Sequence, residues 1–254
     1  VALMLSGSRA GSPKPAEKAP TEDEPAGHLT KVYQSLPAER LTPYFEECGQ
    51  NLDRTLGLYA WNTLASGAIY ECLSHFEISI RNALDAVLKS RHAYHHRAGD
   101  WLDNRHSEFS ENASTTLANA RFDAKSKLKG EGSPPRGAII AELSFGFWRR
   151  LLDERYERHW GTAVMRFFPE LKRARASDMK TIRDLVEPIY SLRNRVAHHE
   201  PIWKISITNR EADMLRIIKL IDADTAVWVA ARSRVLAVVA SRDTGLGPGY
   251  DRTA

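Results

Sequence analysis

Cysteine is scarce in this chain, long apolar runs are missing, and neither sign of charge dominates. The only two cysteines among 254 residues are Cys48 and Cys72, and they form no CxxC pair. That excludes a disulfide framework and fits a reducing compartment, with the cytoplasm as the expected location. No apolar stretch approaches the roughly 18–20 residues that a membrane helix needs, so no membrane partner is expected. The Val1–Leu5 segment is too short for a secretory signal. No P-loop, GxGxxG or GxSxG pattern occurs, which leaves nucleotide-cofactor and serine-hydrolase chemistry without support. No cofactor is expected. No internal repeat is found. Strand-like alternation is confined to Trp203–Thr208, which is short.

What remains is helical. Residues 1–28 are rich in Pro, Ala, Gly, Ser and Glu and read as a disordered leader. Residues 243–254, with Gly245, Gly247, Pro248 and Gly249, read as a flexible tail. Between them, 29–242 form one expected all-α domain with long helices. A short helix spans Pro37–Glu47 and stops near Gly49. A long one runs from Asn51 to Arg91, with apolar residues every three to five positions from Leu52 to Leu88. A polar helix covers Ser107–Lys129, and the Gly130–Gly137 stretch, with its Gly and Pro residues, is a loop. The aromatic segment Ala138–Glu157 is expected as one helix, Asp178–His199 as the next, and Asn209–Ser241 as a last, long one.

The net charge is +4. Arg166, Lys172, Arg173 and Arg175 form one basic group, and Lys125, Lys127 and Lys129 another. Either would suit an RNA backbone, although such groups also occur as solvated helix ends. His92, His95 and His96 have helical spacing for a metal but no carboxylate or cysteine partner in a recognised pattern, so no metal is expected.

The chemistry is concentrated in Tyr190-Ser-Leu-Arg-Asn-Arg-Val-Ala-His-His-Glu-Pro-Ile-Trp203. Tyr190, Asn194 and His198 are spaced by four and share a helix face. Arg193 and His198 are five apart, roughly 140° around an ideal helix. Their convergence requires the helix to end or distort near them. Pro201 supplies an ending, since it disfavours helix at Glu200, whereas Pro188 should kink the same helix. Metal-free RNA cleavage needs a base for the 2′-OH and an acid for the departing 5′-oxygen, and histidine serves both roles. It also needs fixed positive charge at the phosphate, which arginine provides. A helix ending in His-His, with an arginine paired to Asp184, Glu187 or another carboxylate, is an equally ordinary structural arrangement.

Arg193-Asn194-Arg195-Val196-Ala197-His198 resembles the motif of the HEPN superfamily, an arginine and a histidine with four to six residues between them. The wider wording, Leu-Arg-Asn-Arg-Val-Ala-His-His-Glu-Pro-Ile, is similar to its Abi-like (abortive infection) branch. Glu71-Cys-Leu-Ser-His-Phe-Glu-Ile-Ser-Ile-Arg-Asn-Ala-Leu84 resembles that branch's Phe-Glu and Arg-Asn element, and Phe145-Gly-Phe-Trp-Arg-Arg-Leu-Leu152 its middle element. Together they span roughly residues 40–205. The resemblance implies a single-domain HEPN-type helical bundle and a homodimer in which two Arg/His motifs face each other. It also implies a metal-independent endoribonuclease that serves as a toxin in phage defence, restrained by a protein or RNA antitoxin. By position, Arg193 and His198 are then catalytic and Asn194 supports them. Glu77, Arg81, Asn82, Tyr190 and His199 are supporting candidates; Glu77 and Arg81 can pair on one helix face, and act either directly in catalysis or as an internal brace that positions the motif helix. A non-catalytic RNA- or nucleotide-binding module, or a protein-interaction sensor, would fit the same pattern.

Overall fold

The computed structural model describes residues 25–95, 98–103, 108–128, 130, 132–171 and 176–242. The expected tail at 243–254, most of the expected leader, His96, Lys129 and the basic residues Lys172, Arg173 and Arg175 lie outside them. All regular structure among the described residues is helical, so the fold is all-α. The chain divides into two compact units, Val1–Leu56 and Gly57–Ala254.

The first unit holds α1 (Pro25–Ser35) and α2 (Ala38–Glu47). Helix α1 corrects the end of the expected leader, because residues 25–28 are already helical. Leu29, Val32 and Tyr33 follow at helical spacing, and the Tyr33 ring lies 5.7 Å from Phe45. That gives the segment an apolar anchor which its composition hides. As expected, α2 stops before Gly49, whose φ of 61° lies where glycine carries no Cβ penalty.

Helix α3 (Leu52–Tyr94) is the longest element, with 43 residues. Ala65, Ile69, Leu73, Phe76, Ile80, Leu84 and Leu88 form its buried ladder. They are spaced by four and three, the period that keeps one face inward. Cys72 belongs to the same inner side, where burial pushes its thiol up to about 11 and the contact with the Ser233 hydroxyl, to which the thiol donates, only partly opposes the shift. Its role is therefore that of a small apolar residue.

The second unit continues with α4 (Glu111–Ser126), α5 (Arg136–Glu142), α6 (Phe145–Arg150) and α7 (Glu154–Phe167). The expected helix over Ala138–Glu157 is thus three pieces. The backbone is extended at Leu143 and Ser144 (ψ 112° and 158°) and again at Asp153 (ψ 150°), so each serine or aspartate starts a new helix. Between the breaks, Phe147 and Trp148 of α6 pack around the fully buried Trp101 at centroid distances of 6.4 and 6.1 Å. Helix α4 begins later than expected, at its cap Ser110, whose hydroxyl accepts from the Ala113 N–H at 3.2 Å. Lys127 of the second basic group is held by Glu142 at 2.7 Å.

One ionic network fastens α3 to the segments that carry these aromatics. Asp85 accepts from the Trp101 indole at 2.7 Å and also pairs with Lys89 and Arg136. Arg136 reaches Asp100 at 2.6 Å. Burial raises the Asp100 carboxyl, but the Leu102 N–H and Arg136 outweigh it and hold the group below the usual carboxylate range.

After α8 (Ala176–Ala197) come α9 (Ile207–Ile221), α10 (Ala223–Ala230) and α11 (Val235–Ala240). They replace the single helix expected over Asn209–Ser241. Asp222 interrupts it by accepting from the Thr225 N–H at 2.6 Å, and Asn209 lies inside α9 rather than capping it. The strand-like Trp203–Thr208 is a turn leading into α9, as Ile202, Trp203 and Ile207 are all buried by the helices. Among the described residues no helix is long and apolar enough to cross a membrane.

Candidate functional site

Ile182, Val186, Ile189, Leu192 and Val196 are the buried face of α8, spaced by three and four. Their inward placement turns Arg193, Asn194 and His198 away from the core. Helix α8 packs on α6, α7 and α9. Polar ties fix its register: Arg183 binds Glu157 at 3.3 Å and the Leu152 carbonyl at 3.2 Å, and Arg149 of α6 binds Glu187 at 2.6 Å. The expected kink at Pro188 does not break the helix. Pro188 is exposed, so the carbonyl that loses its partner faces solvent.

Neither Asp184 nor Glu187 pairs with Arg193, because Lys180 and Arg149 occupy them. Arg193 instead donates through Nε to Glu77 Oε1 of α3 at 3.0 Å. Their side chains are 32% and 17% accessible, so this is a partly desolvated pair rather than a surface one. It takes the place of the possible Glu77–Arg81 pair, agrees with the alternative reading of Glu77 as a brace for the motif helix, and joins residues separated by 116 positions in the chain. Asn62 of α3, itself buried, accepts from the Ile202 N–H at 2.7 Å.

The end of α8 sets the position of the histidines. The His199 N–H binds the Val196 carbonyl at 3.1 Å, and the Glu200 N–H reaches back to Arg195 at 2.8 Å. This is the Schellman pattern, with His199 in the left-handed position at φ 56°. Arg195 clamps the turn by donating to the Pro201 carbonyl at 2.8 Å. His198 is the last residue before the reversal and is exposed, with no side-chain hydrogen bond or ion pair among the described residues. His199→Gly is expected to raise stability by about 0.5–1 kcal/mol, since glycine takes this conformation without a Cβ clash. A thermal melt checks it. An unchanged or lower midpoint would mean that the imidazole of His199 contributes more than its backbone strain costs.

Tyr190 packs 5.9 Å from Phe145, whose ring lies 5.6 Å from Phe76 of α3. A Cβ on Gly146 would come within 3.2 Å of the Tyr190 hydroxyl, so a side chain there would make the tyrosine give by a few tenths of an ångström. Arg149 stands 5.8 Å over the Tyr190 ring. Gly146 and Arg149 were not singled out from sequence, although both lie in the Phe145–Leu152 segment that carried one element of the resemblance. Asn194 is half-buried and accepts the His198 N–H through its carbonyl at 2.9 Å. Asn82 is exposed on α3, and Arg166, at the end of α7, is exposed beside Ser90 at 3.5 Å.

No group of His, Cys, Asp and Glu that could hold a metal occurs among the described residues. His92 is buried, its Nε2 3.3 Å from the Ala98 carbonyl. A small cleft lined by Trp61, Ile205, Thr208 and Arg242 lies near the start of α3, about 24 Å along the helix from Glu77. It is not part of the Arg/His arrangement.

No curated protein and no solved structure matches the chain. A family model described as "Abi-like protein" matches residues 29–204, well over half of the sequence. The segment takes in α3, the aromatic α6 and the whole of α8 with its terminal histidines, and on that match the chain belongs to the Abi-like protein family.

Proposed function

We propose that this protein is a metal-independent endoribonuclease of the HEPN type, acting as a toxin in phage defence through Arg193 and His198. The observation that carries the proposal is the Arg193–Glu77 pair at 3.0 Å, which ties the motif helix to the Phe-Glu element while His198 stays open to solvent. Family membership supports the defence context.

In the proposed reaction one His198 removes the 2′-OH proton and the 2′-oxygen attacks phosphorus. The bond to the 5′-oxygen breaks, and the second His198 of a homodimer, or a water, protonates it. The products are a 2′,3′-cyclic phosphate and a 5′-hydroxyl, with no metal in the balance. Exposed Arg166 and the basic residues after it would follow the RNA backbone. An antitoxin, protein or RNA, would restrain the activity.

The dimer finds support on α3. Leu64, Tyr70 and Ile78 are exposed by 39, 55 and 49%, and they fall within about 120° of one another around the helix. Trp228, 46% exposed, borders them through an edge contact with His75 at 5.1 Å. Ile78 is next to Glu77, so a twofold axis through this stripe would bring two motifs together. Tyr70→Glu with Ile78→Glu is expected to convert a dimer to monomer in sedimentation and to abolish cleavage. A double variant that sediments like the parent would remove this face from the proposal.

The test of the activity is cleavage of unmodified single-stranded RNA in excess EDTA, with the ends of the fragments identified. Cyclic phosphate and 5′-hydroxyl ends, lost in His198→Ala, are the expected result. Binding without cutting would leave a non-catalytic RNA-binding module, and inhibition by chelation would reinstate a metal.

A further inference from the structure

Arg81 occupies a position where a structural arginine would have two carboxylate partners, and it uses neither. Glu77 stands four residues before it and Asp85 four after it, both at the helical spacing that favours ion pairs. Glu77 is taken by Arg193, and Asp85 by Arg136, Lys89 and the Trp101 indole. Arg81 has no hydrogen bond or ion pair among the described residues. Its Nε is sealed from solvent without an acceptor, whereas its two terminal nitrogens are not among the buried unsatisfied atoms. The stem is therefore held in place and the fork of the guanidinium is presented outward. A buried donor left without an acceptor normally costs stability, and such groups survive where a ligand completes them.

The electrostatic contrast with Arg193 is direct. Arg193 shares its charge with Glu77, so an incoming phosphate meets a neutral pair with a carboxylate beside it. Arg81 is permanently charged, and the carboxylates on either side of it are neutralised by other cations. Around α3 it falls between Tyr70 and Ser74, at the Glu77 edge of the apolar stripe and one turn beyond Ile78, so in the proposed dimer it stands at the margin of the interface, beside the two motifs. We propose that Arg81 is a phosphate-binding residue for single-stranded RNA, and that Arg193, oriented by Glu77, acts on the reacting phosphate next to it. This rests on the proposed nuclease site but makes a claim of its own, which is binding rather than cleavage.

The probe is a fluorescein-labelled single-stranded RNA with 2′-O-methyl groups, which cannot be cut through its 2′-oxygen. Binding to the full chain is followed by anisotropy over a series of sodium chloride concentrations. Arg81→Gln is expected to weaken binding at least about tenfold and to flatten the log–log salt slope by about 0.7, the contribution of one phosphate contact on a single strand. Arg81→Lys is expected to keep the slope, since it keeps the charge. The melting temperature of Arg81→Gln stays level or rises, because no partner is lost and an unsatisfied donor is removed. On unmodified RNA, Arg81→Gln raises KM with kcat nearly constant.

An unchanged slope in Arg81→Gln would overturn the proposal, as would a fall in its melting temperature that accounts for the lost binding. If the parent chain binds but does not cut, while Arg81→Gln still loses the slope, the nuclease proposal falls and the phosphate site stands. If the parent cuts and Arg81→Gln changes neither slope nor KM, only the assignment of Arg81 falls.

Discussion

Replacing His198 with alanine is expected to slow RNA cleavage by about 10²–10⁴-fold, the range that a positioned general acid or base contributes. The fold should not notice, because the side chain is exposed and makes no side-chain bond among the described residues. Arg193→Ala is expected to cost about 10²–10³-fold through kcat, comparable to losing one positioned donor to a developing negative charge. Its interpretation needs more care, since it strands the carboxylate of Glu77, which is 17% accessible. A destabilisation of about 1 kcal/mol is expected from that alone. The pair Glu77→Gln with Arg193→Gln restores the melting temperature, because two amides can bond where two ions did. It does not restore cutting if charge at the phosphate is what matters. Rates for His198→Ala within twofold of the parent would remove the catalytic assignment and leave RNA binding as the surviving function.

Asp85→Ala should be the most damaging single change to the fold. It removes the acceptor of the Trp101 indole, which is fully buried, and a partner of Arg136. Breaking a fully buried ion pair from one side costs about 3–5 kcal/mol. The Arg136 side chain is 30% accessible and keeps Asp100, so about 3 kcal/mol is the appropriate expectation. At about 2–4 °C per kcal/mol for a chain of this size, the midpoint falls by roughly 6–12 °C. Asp85→Asn keeps the acceptor for Trp101 and should lose about half as much. Acid acts on the same network through Asp100. Its folded-state carboxyl titrates below the unfolded one, so its contribution is present above the ordinary aspartate range and disappears as pH falls through the folded value. A melt of Asp85→Ala within 0.5 kcal/mol of the parent would show the network to be no stronger than a surface one.

The long elements were legible because their signal is periodic. The apolar ladder of α3 and the inner face of α8 repeat at three and four over many turns, and both were located to within a few residues. The interruptions were not. Ser144, Asp153 and Asp222 stand at the N-cap positions of new helices within stretches that keep helical spacing, and periodicity alone carries across them. The Arg/His motif was legible as residues, but not its partner. Glu77 and Arg81 at helical spacing read as a pair with each other, and only the tertiary placement of α8 gives Glu77 to Arg193. Likewise the tight space above position 146 is set by a tyrosine hydroxyl 44 positions away. Such contacts belong to packing, which local sequence does not encode.

The uninterrupted course of α3 has a further consequence. At 43 residues it is a rod about 64 Å long, and it carries both the exposed apolar stripe and the carboxylate that holds Arg193. Substitutions within it act locally, but an inserted residue between Tyr70 and Glu77 would rotate everything beyond it by about 100°. In the proposed dimeric nuclease, assembly and active geometry are thereby phase-locked on one shaft, and the stretch between them can change in chemistry far more readily than in length.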